Sequence, residues 1–226
     1  MYESCPNTLQ IKPIYKTMRS QFLKYILVFL ILGNVQAQRK EISTWSAQIS
    51  LGVNSPSKSG FIASAPAQNL NLPTVNLGVQ RIFSRILGAK LDYGFNRFKS
   101  ESNTQEFKVN YSRINVQLVY NPSESLNFLP QPMQVVVHAG PGFSFAKPLG
   151  TLDNNKQSYL NFNLGFEVHY RINKKVTLYS DLSYIYGFSK LDDYNPEIIG
   201  LGAFNGNVIN LSFGVSIALS GCYYCE

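Results

Sequence analysis

Apolar and polar residues alternate along most of the chain after residue 43. The clearest alternation lies between residues 160 and 171, where every even position is a large apolar residue and every odd position is glycine, polar or charged. A period of two over this length predicts a β-strand with one apolar face. Eight segments fit the same description: Thr44–Val53, Thr74–Phe83, Leu87–Asn96, Glu106–Asn121, Met133–Phe145, residues 160–171, Val176–Gly187 and Asn207–Leu219. The sequence therefore predicts an all-β protein with eight strands.

Two of these segments are irregular. In the fourth, the apolar positions are odd up to Tyr111 and even from Ile114 onwards. One inserted residue flips the faces of a strand, so this change predicts a β-bulge near Ser112-Arg113. The fifth segment contains Gly140-Pro141-Gly142. Because proline donates no ladder hydrogen bond, it predicts either a bulge or the end of ladder pairing near a rim.

The connections between the segments differ in length. Ser84–Ile86 and Asn173–Lys175 are tight, whereas Asn54–Pro73, Ala146–Ser158 and Phe188–Gly206 are long. Short turns on one side and long loops on the other are typical of outer-membrane barrels, whose short turns face the periplasm. The long segment Pro122–Pro132 is an exception, because it falls where a short turn is due. We predict an eight-stranded antiparallel up-and-down transmembrane β-barrel.

Composition favours a membrane barrel over a soluble one. Charged residues make up 15% of the chain, and the polar faces consist mainly of Gly, Ser and Asn. Small polar residues suit the narrow interior of eight strands, and the long apolar faces match strands that cross a hydrocarbon layer. Aromatic residues near strand ends fit the girdles of such barrels: Tyr93, Phe95, Tyr120, Phe143, Tyr170, Tyr184 and Tyr186. The alternative is a soluble periplasmic barrel that binds a small apolar ligand.

The beginning of the chain has the three parts of a secretory signal. A basic start at Met18 precedes an apolar run from Tyr25 to Leu32, and Ala37 closes a cleavage motif of small residues. We predict residues 1–37 as leader and signal peptide, with translation starting at Met18. Residues 38–219 are predicted to form the barrel and residues 220–226 a C-terminal tail. The cell outer membrane is the predicted location.

Charge and cysteine content exclude several other classes of protein. The formal charge is +7, of which residues 1–37 carry four basic residues and one acidic residue. The remainder has 20 − 4 = 16 basic and 13 − 1 = 12 acidic residues, a mild and scattered excess that predicts no nucleic-acid surface. Cys222 and Cys225 lie in the predicted tail, outside the βαβ context that a redox motif requires.

Several stretches together resemble the OmpA-like outer-membrane β-barrel family of Gram-negative bacteria. They are Asn76–Val79, Gly88–Gly94, Tyr111–Ile114, Val137–Gly142 and the last strand, Asn210–Leu219. The resemblance covers roughly Trp45 to Leu219. It implies a barrel that stabilises the cell envelope, with minor pore or adhesin activity as further options. Many family members continue into a peptidoglycan-binding domain, which we do not expect in this chain.

Charged residues on the polar faces are the candidate site. If the barrel closes they point inward with both signs present, and buried charges must pair. We predict a salt-bridge network that fills the lumen, with gating of ion leak as one option and a silent plug as the favoured one. Its members are Lys90, Asp92, Arg113, Glu167, Arg171 and Asp181.

No catalytic site, cofactor or metal site is predicted. His138 and His169 are the only histidines, and a nucleophile, base and orienting group cannot be assembled around them from the sequence. The segment from Asp192 to Glu197 matches no calcium loop, so we interpret it as a solvated loop tip. The expected partners are outer-membrane lipid and the barrel assembly machinery, and the expected oligomeric state is a monomer.

Overall fold

Eight antiparallel strands close into a barrel. A computed structural model describes residues 44–123, 126, 129–130, 132–189 and 194–219. The strands are β1 Thr44–Pro56, β2 Asn71–Ile82, β3 Leu87–Lys99, β4 Lys108–Tyr120, β5 Met133–Pro148, β6 Gln157–Arg171, β7 Val176–Gly187 and β8 Val208–Ala218. Each strand pairs with the next along the chain, and β8 pairs with β1. The predicted fold class and strand number are confirmed.

The two ends of the barrel differ in their connections. One end, called the loop end below, carries residues 57–70, 100–107, 149–156, 188–189 and 194–207. The other, called the turn end, carries residues 83–86, 121–123, 126, 129–130, 132 and 172–175. Three short helices lie at the loop end: two 3₁₀ helices, Lys58–Gly60 and Gly150–Asn155, and the α-helix Pro196–Ile199. Among all the residues that the structure describes, no helix has the length and hydrophobicity required to span a bilayer.

Four predictions fall outside the described residues. These are the leader and signal peptide at residues 1–37 with the start at Met18, the tail at 220–226, the pair Cys222 and Cys225, and the first two acids of the predicted loop tip, Asp192 and Asp193.

The faces of the barrel are oriented as the membrane interpretation requires. Leu164 and Leu211 on the apolar face are 50% and 40% exposed, whereas Asn163 and Asn210 on the polar face are 1% and 0% exposed. A soluble barrel that binds an apolar ligand needs the reverse, an apolar interior and a wetted polar exterior. The soluble alternative is therefore wrong, because the interior of this barrel is polar over most of its length.

The predicted bulge near Ser112-Arg113 is wrong. β3 pairs with β4 without a register shift, from Leu87 opposite Tyr120 to Lys99 opposite Lys108. The odd-numbered residues of β4 point inward along the whole strand. The apolar residues change from odd to even because the interior itself changes, from aromatic at the loop end to polar further down. A register shift occurs instead between Gly52 and Asn54, where β1 pairs with β2.

The segment Gly140-Pro141-Gly142 neither bulges nor ends a strand. β5 continues to Pro148, and its register with β6 is unbroken. On the other side, its pairing with β4 is interrupted opposite Gly140 and Pro141 and then resumes in the same register. A Cβ atom at Gly140 would overlap the Val116 carbonyl oxygen. Glycine here permits a close approach of the two strands, and the proline occupies the interruption in the ladder.

Candidate functional site

Two layers of side chains fill the barrel interior. The middle of the barrel holds charged and amide side chains from five strands, and we call this layer the lumen network. It consists of Lys90 and Asp92 from β3, Arg113 and Gln117 from β4, His138 from β5, Glu167 and His169 from β6, and Asp181 from β7. Each of these side chains is buried. Above it, at the loop end, lies an aromatic layer.

Glu167 is the centre of the lumen network. Its Oε1 atom lies 2.6 Å from Nζ of Lys90, on the far wall of the barrel. Its Oε2 atom lies 2.5 Å from Nε2 of His169. The Nε2 atom of His138 lies 3.7 Å from Oε1. Three positive or polar groups thus converge on a carboxylate that is 1% exposed, which compensates for its removal from water.

A second ion pair joins the network through an amide. Nη2 of Arg113 lies 3.1 Å from Oδ2 of Asp92, and both Nη atoms donate to Oδ1 of Asn76 at 3.2 Å. Gln117 donates from Nε2 to Asp92 at 3.5 Å, while its Oε1 contacts Nδ1 of His138. The two ion pairs are therefore parts of one continuous polar layer across the lumen.

Two glycines make room for the largest members of this layer. Gly94 lies directly opposite Arg113 in the β3–β4 ladder, and Gly165 lies directly opposite His138 in the β5–β6 ladder. A Cβ atom at either glycine would overlap the facing guanidinium or imidazole. The side chains of Arg113 and His138 therefore occupy the space that a side chain at the facing glycine would fill. An eight-stranded barrel requires such vacant positions because its lumen has room for side chains only.

His138, Glu167 and Asp181 form the one trio among the described residues that could share a metal ion. Their ligand atoms lie within 4.8 Å of one another. Nε2 of His138 is 3.5 Å from Oδ2 of Asp181, and neither it nor Oδ1 of Asp181 has a hydrogen-bond partner. Lys90 already supplies positive charge to Glu167 in this group. The trio therefore has the contacts of an ion-pair network, and we assign it no metal.

The six residues of the predicted salt-bridge network occupy two levels. Five of them, all except Arg171, lie in the lumen network. Arg171 is the last residue of β6 and lines a cavity of about 610 Å³ at the turn end, together with Gln48, Gln80 and His169. Gln117, His138 and His169 were not among the predicted members. Gln117 and His169 lie on the same alternating faces as the predicted charges Arg113 and Glu167, so their signal was present in the sequence. β5, the strand of His138, carries no predicted charge.

An aromatic plug closes the barrel at the loop end. Phe98 on β3 and Tyr111 on β4 are packed with three residues from the loops, namely Phe61, Phe107 and Phe204. Ring centroids are 4.7 Å apart for Phe61 and Phe204 and 4.9 Å apart for Phe98 and Phe204. All five side chains are at most 5% exposed. The plug is thus built by loops folding back into the mouth of the barrel.

Hydroxyl and amide side chains link the plug to the polar interior below it. The hydroxyl groups of Tyr111 and Ser144 are 2.7 Å apart, and Asn161 donates to Ser144 at 2.8 Å. Asn115 in turn donates to Asn161 at 2.5 Å. From the loop end downwards the interior is therefore first aromatic, then polar with amide, hydroxyl and charged side chains intermixed, and finally open in the cavity at the turn end.

Comparison with known proteins identifies relatives of the fold. Residues 25–216 match the family model described as outer membrane protein beta-barrel domain. A major outer membrane protein from Thermus thermophilus is similar, with a TM-score of 0.54, 14% identity and coverage of 79% of this chain and 100% of that one. Ail, the attachment invasion locus protein of Yersinia pestis, solved with the heparin analogue sucrose octasulfate, has a TM-score of 0.50, 14% identity and coverage of 78% and 99%. No curated protein matches the chain significantly.

Proposed function

The chain belongs to the family of outer-membrane β-barrel proteins and is located in the outer membrane, and from this premise we propose that it is a structural barrel with a sealed lumen. In this proposal the loop end faces outside, as short periplasmic turns and long outer loops imply. The barrel is inserted by the assembly machinery and works as a monomer in lipid. One chain closes the sheet by itself, which leaves no strand edge in the bilayer.

Two independent seals in series support the sealed lumen. The lumen network crosses the middle of the barrel, and the aromatic plug fills its mouth. An ion that passed through would have to displace the Lys90–Glu167 pair and then lose its hydration to enter a buried layer of aromatic side chains. The cavity of about 610 Å³ that Arg171 and His169 line lies below these layers, at the turn end. This series of seals is the observation that carries the proposal.

Current recording in planar lipid bilayers tests the sealed lumen. We expect silent bilayers for the native protein, and silent bilayers also for Glu167→Ala or Phe204→Ala alone, because one seal remains in each. The double variant should conduct. Stepwise currents from the native protein that change in Glu167→Ala would contradict the proposal and favour a gated narrow pore. Heat-modifiable migration on gels would establish that each variant is folded.

The loop end supports a role as a surface-contact module, the second function we propose. Glu197 in the helix of the last loop accepts a hydrogen bond from the backbone N–H of Ala63 in the first loop at 2.7 Å. Lys58 in the first loop pairs with Glu101 in the second at 2.9 Å. Loops tied in this way present a preformed surface, and a preformed surface loses less entropy on binding.

We propose no enzymatic activity for the barrel. His138 contacts Gln117, Glu167 and Asp181, and His169 bonds to Glu167 and stacks on Tyr179 with centroids 5.4 Å apart. A catalytic histidine needs a nucleophile in reach and a path for substrate. Both imidazoles are instead engaged with carboxylates and amides in the lumen, which supports a structural role.

A further inference from the structure

A basic patch lies on the outer wall of the barrel at the loop end. It consists of Arg97 and Lys99 on β3, Lys108 on β4 and Lys147 on β5. Their chain neighbours Phe98, Val109 and Ala146 point into the barrel, so these four residues point outward. We call them the outer basic patch.

Strand register aligns the patch with the edge of the apolar wall. Phe95, Ser112 and Phe145 form one outward row across the three strands. The next outward row towards the loop end is Arg97, Asn110 and Lys147, and the row after it is Lys99 and Lys108. Successive rows on one face are two residues apart, roughly 6.6 Å along a strand. The cations therefore begin one step beyond the aromatic level, where lipid headgroups meet acyl chains.

The patch lies in one sector of the barrel. On β1, β2, β7 and β8 the last outward positions at the loop end are uncharged: Ser55, Leu72, Tyr186 and Ile209. On the β6 side the exposed Lys156 lies one step beyond the Ala146 and Gln157 pair, opposite Lys147, and extends the sector. Within the patch, Lys99 and Lys108 are direct cross-strand partners. Like charges directly opposite each other destabilise a sheet. An anion between them would remove that repulsion.

Nearby carboxylates offset only part of this charge. Asp153 lies 3.3 Å from Lys147 in an exposed pair, and Glu106 is exposed in the loop beside Lys108. Glu101 is already paired with Lys58. With Lys156 beside Lys147, five cations face two carboxylates, which leaves 5 − 2 = 3 positive charges for an external anion.

A groove of mixed polarity adjoins the patch. A cavity of about 610 Å³ lies between the second and third loops, and Lys99 and Lys108 line its edge. Hydroxyl groups line it as well, from Ser100, Ser102, Thr104 and Thr151, and so do the carboxylates of Glu101 and Glu106. Such a groove has donors and acceptors for a sugar, while the lysines at its edge are placed for phosphate groups.

We propose that the outer basic patch and this groove bind the phosphorylated sugar headgroup of an outer-leaflet glycolipid. The phosphates contact Lys99, Lys108 and Lys147, the sugar lies in the groove, and the acyl chains lie along the apolar wall below Phe145. Arg97 donates to Asn110 at 3.0 Å and lies over Phe95 with 5.8 Å to the ring centroid, which holds it at the boundary. The proposal rests on the loop end facing outside, as in the proposed function.

Retention of lipid A in nanodiscs tests this proposal. The full-length protein is reconstituted in phosphatidylcholine nanodiscs that contain diphosphorylated lipid A, and native mass spectrometry measures the fraction of protein that carries it. We expect the variant Lys99→Gln/Lys108→Gln/Lys147→Gln to bind lipid A at least about tenfold more weakly than the native protein, since each surface cation contributes to attraction of anionic lipid. Equal retention by the two proteins would overturn the proposal.

A matched variant controls for total charge. Arg85→Gln/Lys174→Gln/Lys175→Gln removes three exposed cations from the turn end and should retain lipid A like the native protein. Heat-modifiable migration of both variants would show that they fold.

Two competitors identify the ligand. Dephosphorylated lipid A should bind poorly, and its equal binding would overturn the role of phosphate. Inorganic phosphate should displace lipid A only weakly, and full displacement at low concentration would identify free phosphate as the ligand instead. Nanodiscs expose lipid A on both faces and the readout involves no current. Failure here is therefore distinct from failure of the sealed lumen or of the loop orientation.

Discussion

Single glycines determine how a narrow barrel can hold large charged side chains. Arg113 and His138 are both 1% exposed or less, and each faces a glycine on the neighbouring strand, Gly94 and Gly165 respectively. In an interior that is filled by side chains alone, one long residue needs an empty position beside it. The glycines are thus as much a part of the lumen network as the charges are.

Substitution of Gly165 by alanine should destabilise the barrel. The new methyl group would overlap the His138 ring, which cannot move freely because Gln117 holds it, and overpacking typically costs about 1–3 kcal/mol. Urea unfolding in lipid vesicles, followed by gel mobility, measures the loss. Gly78→Ala is the matched control. Its Cβ atom would lie 3.2 Å from the flexible ends of Gln48 and Lys90, so a smaller effect is expected. Equal stability of the Gly165 variant and the native protein would contradict this interpretation.

Removal of the Glu167 charge should cost more than removal of any surface charge. Glu167→Gln leaves the buried ammonium group of Lys90 without its counterion, and breaking a buried pair from one side typically costs roughly 3–5 kcal/mol. Glu101→Gln is the control, because its pair with Lys58 is exposed and such pairs contribute about 0–1 kcal/mol. The same unfolding assay compares them. A Glu167 variant no less stable than the Glu101 variant would mean that the lumen pair contributes little.

Among the strands, β4 shows why periodicity can mislead. Its inward positions are Val109 and Tyr111 near the loop end and Arg113, Asn115 and Gln117 below. A rule that assigns apolar residues to lipid and polar ones to the lumen reads this as a change of face. The alternative, that the lumen itself becomes apolar near its mouth, gives the same pattern without a bulge. Only the register of neighbouring strands decides between the two.

Cysteine labelling of β4 tests its orientation. In the observed register a label at Ser112→Cys faces lipid and one at Tyr111→Cys lies inside the barrel, whereas a bulge at residues 112–113 would reverse the upper half of the strand. We therefore expect a lipid-soluble quencher to reduce the fluorescence of a label at position 112 and not at 111. Ile114→Cys, which faces lipid in both descriptions, is the positive control. Quenching of the label at position 111 but not at position 112 would contradict the observed register and support a bulge at residues 112–113.

The sequence predicts strands well and partners in the lumen poorly, for a physical reason. Alternation is local, so Val176–Gly187 could be delimited to the residue. The Lys90–Glu167 pair joins residues 77 positions apart on opposite walls, and its formation depends on strand stagger around the whole barrel. The plug depends on Phe61 and Phe204, which come from loops without periodicity. The alternating pattern identified most of the charged residues that point into the lumen, but it did not identify which of them form pairs.

The molecule as a whole reverses the usual arrangement of a soluble protein. Its charges are paired inside and its large apolar residues cover the outer wall, which only a lipid solvent makes favourable. The interior polar layers and the exterior apolar belt are built by the same strands, because successive side chains point to opposite faces. Sealing the lumen and anchoring in the membrane are therefore two consequences of one alternating pattern.

Substitution of an outer-wall residue by arginine tests whether lipid or water surrounds the apolar outer wall of the barrel. Leu164 is 50% exposed at the middle of β6, and Ile198 is 73% exposed in the helix of the last loop. By exposure alone Ile198→Arg and Leu164→Arg should both be harmless. If the belt faces hydrocarbon, Leu164→Arg costs about 2–4 kcal/mol because the guanidinium enters the bilayer midplane, while Ile198→Arg costs almost nothing. Unfolding titrations in vesicles give both values. Tolerance of both would mean that water, not lipid, surrounds the outer wall of β6.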